Sequence, residues 1–421
     1  MKRIMILGGG TCQLSALQKA KALGLETLVA DMLPEAPGAV LADHYALAST
    51  FDPEGCQKAA EDFQVDGIMT LGTDQPVLTA ALTAEAMGLP TLIRSSQARA
   101  LTNKREMKAL LQKKKIPTVD YCLVDGQTDF NKMEERFPGS VVLKPLDSQG
   151  QRGVYRLEKV EQASSMLKKT LSYSREKQAL LEAYYPSDEI TVSGWVKGGE
   201  LTILTVTDRV LMEDSMNIGI CTSHRFPTIH QELKEEIREI SRKVAEAFEL
   251  EEGPFYLQLL AGEKGVLVNE AAFRIGGAFE DSIIPKISGF DILDAVMAHA
   301  LGEKPRTTWK EGYDCFQTEA RASVQLMFAH PGQIREITPV EELLALEDVV
   351  DAGYNVRPGQ WIKSAEDATA RLGYCVFFRE SGDLTSSLEA FRETFRVLDD
   401  QGHNLYRKFP KDAVTSRKRE G

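Results

Sequence analysis

The apolar positions of residues 1–95 fall in short runs separated by stretches with helical spacing. The runs "IMIL", "TLVA", "DGIMTL" and "LPTLI" have the length of buried strands. Such runs alternating with helical patterns predict a parallel sheet with helices on both faces. Near residue 96 the pattern changes. "NKREMKALLQKKK" places Met107, Leu110 and Leu111 on one side of a helix, and Pro117 follows its end. Residues 118–200 are richer in strands and turns. "ITVSGWVKGGELTILTV" predicts two strands around Gly198–Gly199. "HQELKEEIREISRKVAEAFEL" repeats Leu233, Ile237, Ile240, Val244 and Phe248 at helical spacing, as an amphipathic helix does. "FYLQLLAGEKGVLVNEAAF" predicts a second hairpin. Beyond about 305 come more strands and one late helix over "SSLEAFRETFRVL". No repeat of 20–50 residues interrupts this α/β plan.

Composition removes several classes. The chain of 421 residues is 43% hydrophobic and 27% charged, enough for a large core. A net charge of −12 argues against general nucleic-acid binding. Cys12, Cys56, Cys122, Cys221, Cys315 and Cys375 form no CxxC or ladder spacing, which suits reduced thiols in the cytoplasm. The six histidines form no ligand cluster. No apolar run approaches the roughly eighteen residues of a membrane span. "MKRIMILGGG" is too short in its apolar part for a signal peptide and reads as the first strand. Residues 411–421 form a basic, polar tail.

The glycine run in "RIMILGGGTCQLSAL" raises the question of a nucleotide. Gly8 and Gly10 fit a dinucleotide fingerprint, and Asp31 stands about where such folds place a ribose-binding acid. The third glycine position holds Gln13, so a tight turn in a parallel sheet is favoured over NAD. An anion or substrate at the helix N-terminus is the other reading.

Three later stretches carry chemistry together. In "VVLKPLDSQGQRGVYRL" a strand delivers Lys144 ahead of a loop through Ser148, Gly150 and Gly153. A glycine loop can close backbone N–H groups over phosphate oxygens while a strand lysine adds fixed charge. In "ALLEAYYPSDEITV", Glu182 closes an apolar strand and Glu189 follows seven residues later. Backbone after a strand can read an adenine edge, and a carboxylate can accept from two ribose hydroxyls. In "GPFYLQLLAGEKGVLVNEAAFRIGG", a hairpin turning around Lys264 sets Gln258 opposite Glu270. Two such oxygens can share one Mg²⁺. Arg274 falls on the same face as Glu270 if the strand continues. Each stretch alone also reads as an ordinary solvated hairpin, loop or sheet face.

The order and spacing of the three resemble the ATP-grasp superfamily of carboxylate–amine and carboxylate–thiol ligases, from residue 1 to about 400. The resemblance is to the branch of carbamoyl-phosphate synthetase halves, purine transformylase, biotin carboxylase and L-amino acid ligases. It implies an α/β (α+β elements) ATP-grasp fold: a Rossmann-like pre-ATP-grasp domain over 1–95, an ATP-grasp domain over 96–305 with its lid at about 118–185, and a C-terminal β-rich segment over 306–410. It further implies Lys104 and Lys144 as phosphate-binding lysines and Ser148 to Gly153 as the lid loop, with Gly150 and Gly153 free to fold down. Glu182 with the backbone of Ala183, Tyr184 and Tyr185 matches the adenine hinge, and Glu189 the ribose acid. Gln258 and Glu270 match metal positions for Mg²⁺ or Mn²⁺. Arg274 matches the arginine of the family's E-x-N-x-R motif, whose asparagine is Ala272 here, so a second metal ion is less secure unless Glu280 or Asp281 substitutes. His224 resembles a substrate-contacting histidine, with Arg225 beside it. Gly10 and the "LGTDQP" loop with Asp74 face the cleft on the substrate side.

The expected activity is ATP-dependent ligation: a small carboxylate, an amino acid by the branch, becomes an acyl phosphate, and an amine displaces the phosphate. The alternatives are formate or bicarbonate activation as in purine synthesis, and an ATP-binding protein that does not catalyse. The expected ligands are ATP, Mg²⁺ and the small carboxylate and amine substrates, without nucleic acid or membrane. A homodimer is compatible with the relatives.

Overall fold

The computed structural model describes residues 1–212 and 218–409, so the basic tail lies outside the described residues. Four parallel strands open the chain: β1 (Arg3–Leu7), β2 (Glu26–Asp31), β3 (His44–Leu47) and β4 (Gly67–Met69), in the order β3-β2-β1-β4. Side chains alternate along β1. Ile4 and Ile6 pack with Ala16, Leu17 and Ala20 of α1 (Leu14–Ala22), whereas Met5 and Leu7 join Cys56 and Ala60 on the opposite face. Both faces are thus covered. The helices α2 (Pro37–Leu41), α3 (Pro53–Phe63) and α4 (Gln75–Met87) complete this layer. One expected strand is absent. "LPTLI" is a loop, in which the Thr91 hydroxyl donates to Ile93 O, a local bond that competes with a ladder. The edge strand is His44–Leu47 instead.

Helices α5 (Ser95–Thr102) and α6 (Lys104–Lys113) lead into a small antiparallel sheet. It consists of β5 (Tyr121–Val124), β6 (Val141–Pro145), β7 (Tyr155–Leu157) and β8 (Ala179–Ala183), in the order β5-β8-β6-β7. With α7 (Ala163–Ser172) it closes its own core around Phe130, Phe137, Val141, Leu143 and Leu167.

The largest sheet has eight strands. The hairpin of β9 (Ser187–Lys197) and β10 (Glu200–Leu211) turns at Gly198–Gly199, followed by β11 (Cys221–Phe226), β12 (Glu252–Gly262), β13 (Gly265–Ala272) and β14 (Arg321–Met327). The chain then makes β15 (Gly332–Gln333), β16 (Glu336–Ile337), α11 (Val340–Leu344), β17 (Val349–Tyr354), β18 (Trp361–Ile362) and β19 (Gly373–Arg379). The order is β13-β12-β9-β10-β11-β14-β19-β17, so late strands extend the sheet begun by the middle of the chain. Helix α8 (Lys234–Ala247) lays Ile237, Ile240 and Val244 on its apolar face, against Ile190, Val192, Leu257 and Leu259. Helices α9 (Glu280–Ser288) and α10 (Ile292–Ala300) join it to the first layer. The late helix α12 (Thr385–Thr394) is shorter than its spacing suggests. Arg396 N–H donates to the Thr338 hydroxyl, and Val397–Leu398 becomes β20 paired with β16.

Candidate functional site: a charged cleft between three layers

The opening glycine turn is filled by the protein itself. Gly8 takes φ +96°, a conformation that favours glycine, and Gly9 N–H donates to Asp31 Oδ2 at 2.8 Å. Asp31 Oδ1 accepts from Leu33 N–H, and Gly9 O accepts from Gly38 N–H at 2.7 Å. Asp31 therefore braces its own loop. Gln13, in the missing glycine's place, is buried and donates to Leu71 O at 2.6 Å, and Gly10 caps the turn that carries it. The Leu71–Pro76 loop is thereby tied to the glycine turn. It also reaches the residues after β13: Gly72 N–H donates to Ile275 O at 3.0 Å, and Asp74 holds the Arg274 guanidinium at 2.8 and 2.5 Å.

The second hairpin does set Gln258 opposite Glu270. It turns between Gly262 and Gly265, a register that would pair Gln258 with Asn269. A bulge at Asn269 advances the partner by one residue. The strand ends at Ala272, so alternation does not place Arg274. Asp74 and the Tyr256 ring, 4.5 Å from the guanidinium, hold it in the cleft instead.

Lysines converge on this hairpin from α6 and the small sheet. Lys104 Nζ lies 3.1 Å from Glu270 Oε1 and donates to Ser148 O at 3.1 Å. Lys144 Nζ lies 2.7 Å from Glu182 Oε2 and 3.4 Å from Asn269 Oδ1. Lys108, not anticipated from the sequence, has a fully buried side chain and meets Glu182 Oε1 at 2.9 Å. It stands one turn beyond Lys104, a spacing of four that puts both on one helix face. Burial opposes the Glu182 charge, but Lys108 and Lys144 outweigh it and hold the carboxyl at about 2. Burial pushes the Lys108 ammonium down to about 8 against the pull of Glu182. Burial likewise opposes the Glu270 carboxylate, and Lys104, Lys144 and Arg274 hold its pKa below the usual range.

The segment after Glu182 is partly engaged. Ala183 N–H donates to Asp120 O and Tyr184 N–H to Ser140 O. The Tyr185 hydroxyl bridges Gly265 O and Lys264 N–H. Glu189 is paired with Arg209 at 3.0 Å, across the bulged first hairpin. Its carboxylate would meet a ribose only by sharing that arginine.

One face of the large sheet gathers Glu189, Thr191 and Ser193 of β9, Thr205, Thr207 and Arg209 of β10, His224 of β11, Tyr256 and Gln258 of β12 and Glu270 of β13, as alternation and the pairings require. The opposite face carries the apolar core. Five atoms on the polar face are buried without a hydrogen-bond partner among the described residues: Thr191 Oγ1, Ser193 Oγ, Thr205 Oγ1, His224 Nε2 and Gln258 Oε1. Such a concentration marks a polar cavity that other molecules complete. His224 is a buried strand residue, its Nδ1 3.2 Å from Thr207 Oγ1. Burial, with Arg209 and Arg371, pushes its pKa well below the ordinary value, so it is neutral at pH 7. Arg225 points to the other face, beside Asp208, and is not brought together with His224. Glu280 is fully buried behind Arg274. Its Oε2 accepts from Ala278 N–H, and Oε1 is unpartnered among the described residues.

The loop from Ser148 to Gly153 covers the cleft and has two unlike glycines. Gly150 is exposed, with φ +66°, and a Cβ there would make only ordinary contact with Ala368 and Thr369. Gly153, at φ +75°, is buried, and a Cβ there would lie 2.6 Å from the Tyr173 ring. Gly153 is therefore an anchor of the loop, not a free hinge. Gly150 O accepts from Ala368 N–H at 3.0 Å, so the loop also touches the C-terminal segment.

Among the described residues, no three His, Cys, Asp or Glu side chains form a metal cage. Gln258 Oε1 and Glu270 are the oxygens available at the lysine cluster. They suit a hard divalent ion that takes its remaining oxygens from phosphate and water.

Comparison with known proteins gives matches to two family models. The model of the ATP-grasp domain matches residues 137–281, and that of the L-amino acid ligase C-terminal domain 2 matches residues 324–397. An L-arginine-specific L-amino acid ligase of Bacillus subtilis is 22% identical over 320 residues, 72% of this chain and 74% of the relative. A formate-dependent phosphoribosylglycinamide formyltransferase of Sulfurisphaera tokodaii is 25% identical over 239 residues, about half of either chain (55% and 54%). The crystal structure of an L-amino acid ligase from Bacillus licheniformis superposes with a TM-score of 0.77 at 16% identity, covering 95% of this chain and 99% of the other. The biotin carboxylase domain of the Hydrogenobacter thermophilus 2-oxoglutarate carboxylase gives 0.75 at 16% identity, covering 94% and 90%. The chain thus carries an ATP-grasp domain at its centre and an L-amino acid ligase C-terminal domain behind it.

Proposed function

We propose that the chain joins a small carboxylate, an amino acid, to an amine through an acyl phosphate, with ATP converted to ADP and phosphate. The observation that carries this is the strip of Lys144, Glu182, Lys104, Glu270 and Arg274, buried at Lys144, Glu182 and Arg274 and partly open at Lys104 and Glu270. It runs beneath the loop of Ser148 to Gly153 and opens onto the polar face of the large sheet. Phosphate oxygens entering there displace carboxylates from the lysines and keep their charges paired.

In this reading Lys104 and Lys144 bind the phosphates. Glu182 fixes Lys144, and the backbone from Ala183 to Tyr185 meets the adenine, with Tyr185 N–H the donor left for it. Glu189, shared with Arg209, faces the ribose. Gln258 and Glu270 would hold Mg²⁺, which when bound supplies charge neutralisation to the transferring phosphoryl group. The acceptor carboxylate attacks the γ-phosphorus, and the bond to ADP breaks. Arg274, a planar donor fork, holds the oxygens that gain charge. The loop keeps water from the acyl phosphate. An amine nitrogen then bonds to the acyl carbon, the carbon–oxygen bond to phosphate breaks and a proton leaves the nitrogen. His224, neutral and buried, lines the acceptor side, with Gly10 and Asp74 at the rim.

The test is ADP release with ATP and Mg²⁺ over amino acids, singly and in pairs, with hydroxylamine as a trap. ADP that requires a carboxylate and an amine, and a hydroxamate in their place, supports the ligase. ADP formed with formate or bicarbonate alone would transfer the reading to the purine-type alternative. No ADP with any acid would leave a non-catalytic ATP-binding protein.

A further inference from the structure

Three arginines reach the polar cavity, and they differ in partners. Arg209 is paired with Glu189, and Arg274 with Asp74. Arg371, delivered by the C-terminal segment just ahead of β19, makes no ion pair among the described residues. Its Nη1 donates to Gly277 O at 3.1 Å, and its Nε is buried without an acceptor. The same carbonyl takes the Cys12 thiol at 3.6 Å, so Arg371 meets the first layer and the loop after β13 at one point. Its charge reaches the buried His224 on the cavity face. A guanidinium with a buried, unbonded N–H is costly unless an anion completes it. A planar fork with free donors suits a carboxylate.

We propose that Arg371 is the counter-ion of a substrate carboxylate that is not phosphorylated. That carboxylate is either the α-carboxylate of the amino acid supplying the amine or a second carboxylate on the activated acid. This rests on the ligase reading and narrows its substrates: at least one carries a carboxylate that survives into the product. The position of Arg371 adds a consequence. Three residues earlier in the chain, Ala368 N–H holds Gly150 O, so a carboxylate on Arg371 steadies the segment against which the loop is closed.

The experiment compares the wild type, Arg371→Ala and Arg371→Lys in the ADP-release assay. One series pairs the active acid with amino acids and with their amides as amine donors. A second series compares aspartate and glutamate with asparagine and glutamine as the activated acid. The thermal shift with Mg²⁺–ATP checks that each variant is folded and binds nucleotide. Arg371→Ala should raise KM for the carboxylate-bearing member of one series by about tenfold or more and leave its amide unchanged. Arg371→Lys should restore part of the loss. The series that responds identifies which substrate brings the carboxylate. Equal losses for acids and amides in both series, in a variant that binds Mg²⁺–ATP normally, would overturn the role of Arg371 while the ligase reading stands. A wild type that releases no ADP with any acid would instead overturn the ligase reading itself.

Discussion

Glu270 and Gln258 face one another across a hairpin, but only one of them brings charge. Glu270 is also the partner of Lys104, so its removal leaves a largely covered ammonium without its carboxylate. Gln258 contributes one neutral oxygen, which water can replace. Glu270→Ala should lower kcat by about 10²–10³-fold, and Gln258→Ala by about tenfold or less. Steady-state kinetics at saturating ATP distinguishes them, and equal losses would refute the charge argument. Glu182 gives a different residue-scale test. Its carboxyl is held at about 2, against about 4.5 in the unfolded chain. The stabilisation is fully present above pH 4.5 and disappears as the pH falls toward 2, because the unfolded chain binds the proton first. Glu182→Gln should be less stable than the parent at pH 6, by on the order of 3 kcal/mol, and the two should converge near pH 2. Urea unfolding at several pH values measures this; a constant gap down to pH 2 would show that the lysine pairs do not stabilise the fold. Lys144, Glu182, Glu270 and Arg274 were legible as residues that resemble a family motif. Lys108 was not. Its charge looks like part of a solvated helix face until the small sheet covers it. Arg209 was hidden for another reason. Counting back from Gly198–Gly199 pairs it with Asp188, and only the extra residue at Leu204 moves it to Glu189.

Hairpins, helices and the amphipathic α8 follow from periodicity, because each is stabilised by residues near in sequence. Bulges, loop closures and short ladders do not, because they depend on a distant partner. The "LPTLI" run is kept from a ladder by its own Thr91–Ile93 bond, whereas the end of α12 and the role of Gly153 belong to the second kind. So does the contact between the loop of Ser148 to Gly153 and the turn at Ala368–Ala370. A nearby ion pair, Lys169 of α7 with Glu366 at 3.5 Å, is exposed and worth little. The Ala368 N–H bond to Gly150 O is the specific tie. Ala368 opens its turn with Asp367 extended before it, a setting in which proline fits. Ala368→Pro should remove the N–H and leave the turn in place. Amide exchange over 148–153 should quicken, and KM for ATP should rise a fewfold, as expected for loss of about 1 kcal/mol. Unchanged exchange would mean that Lys104, on the other side of the loop, holds it alone.

Across the whole molecule, the units that look separable along the chain are not equally so in space. The small sheet of β5 to β8 has its own core, and its entry and exit are neighbours: Tyr121 and Glu182 are cross-strand partners. Their Cα atoms are therefore about 5 Å apart, a gap that a short glycine linker spans. The C-terminal strands are different. β14 and β19 continue the large sheet beside β11, and Val324 and Val376 share one core with Phe226, Phe279 and the face of α8. Phe279, held at φ +58°, stacks on Tyr374 of β19. Two deletions separate these cases. Replacing residues 122–181 by a short linker should leave a folded chain with one cooperative melt and no thermal shift with Mg²⁺–ATP, since Lys144 and the covering loop are gone. Ending the chain at residue 305 should expose the edge of β11 and the part of the shared core that Val324, Leu326, Phe328 and Val376 cover, and should give a chain that aggregates or melts without cooperativity. Circular dichroism melts and size-exclusion chromatography of the two would decide. A shortened chain of 1–305 that melts cooperatively would make the C-terminal strands an accessory to a finished ATP-grasp domain. Its failure to fold, beside a folded lid deletion, would make the cavity wall that carries Arg371 part of the fold itself.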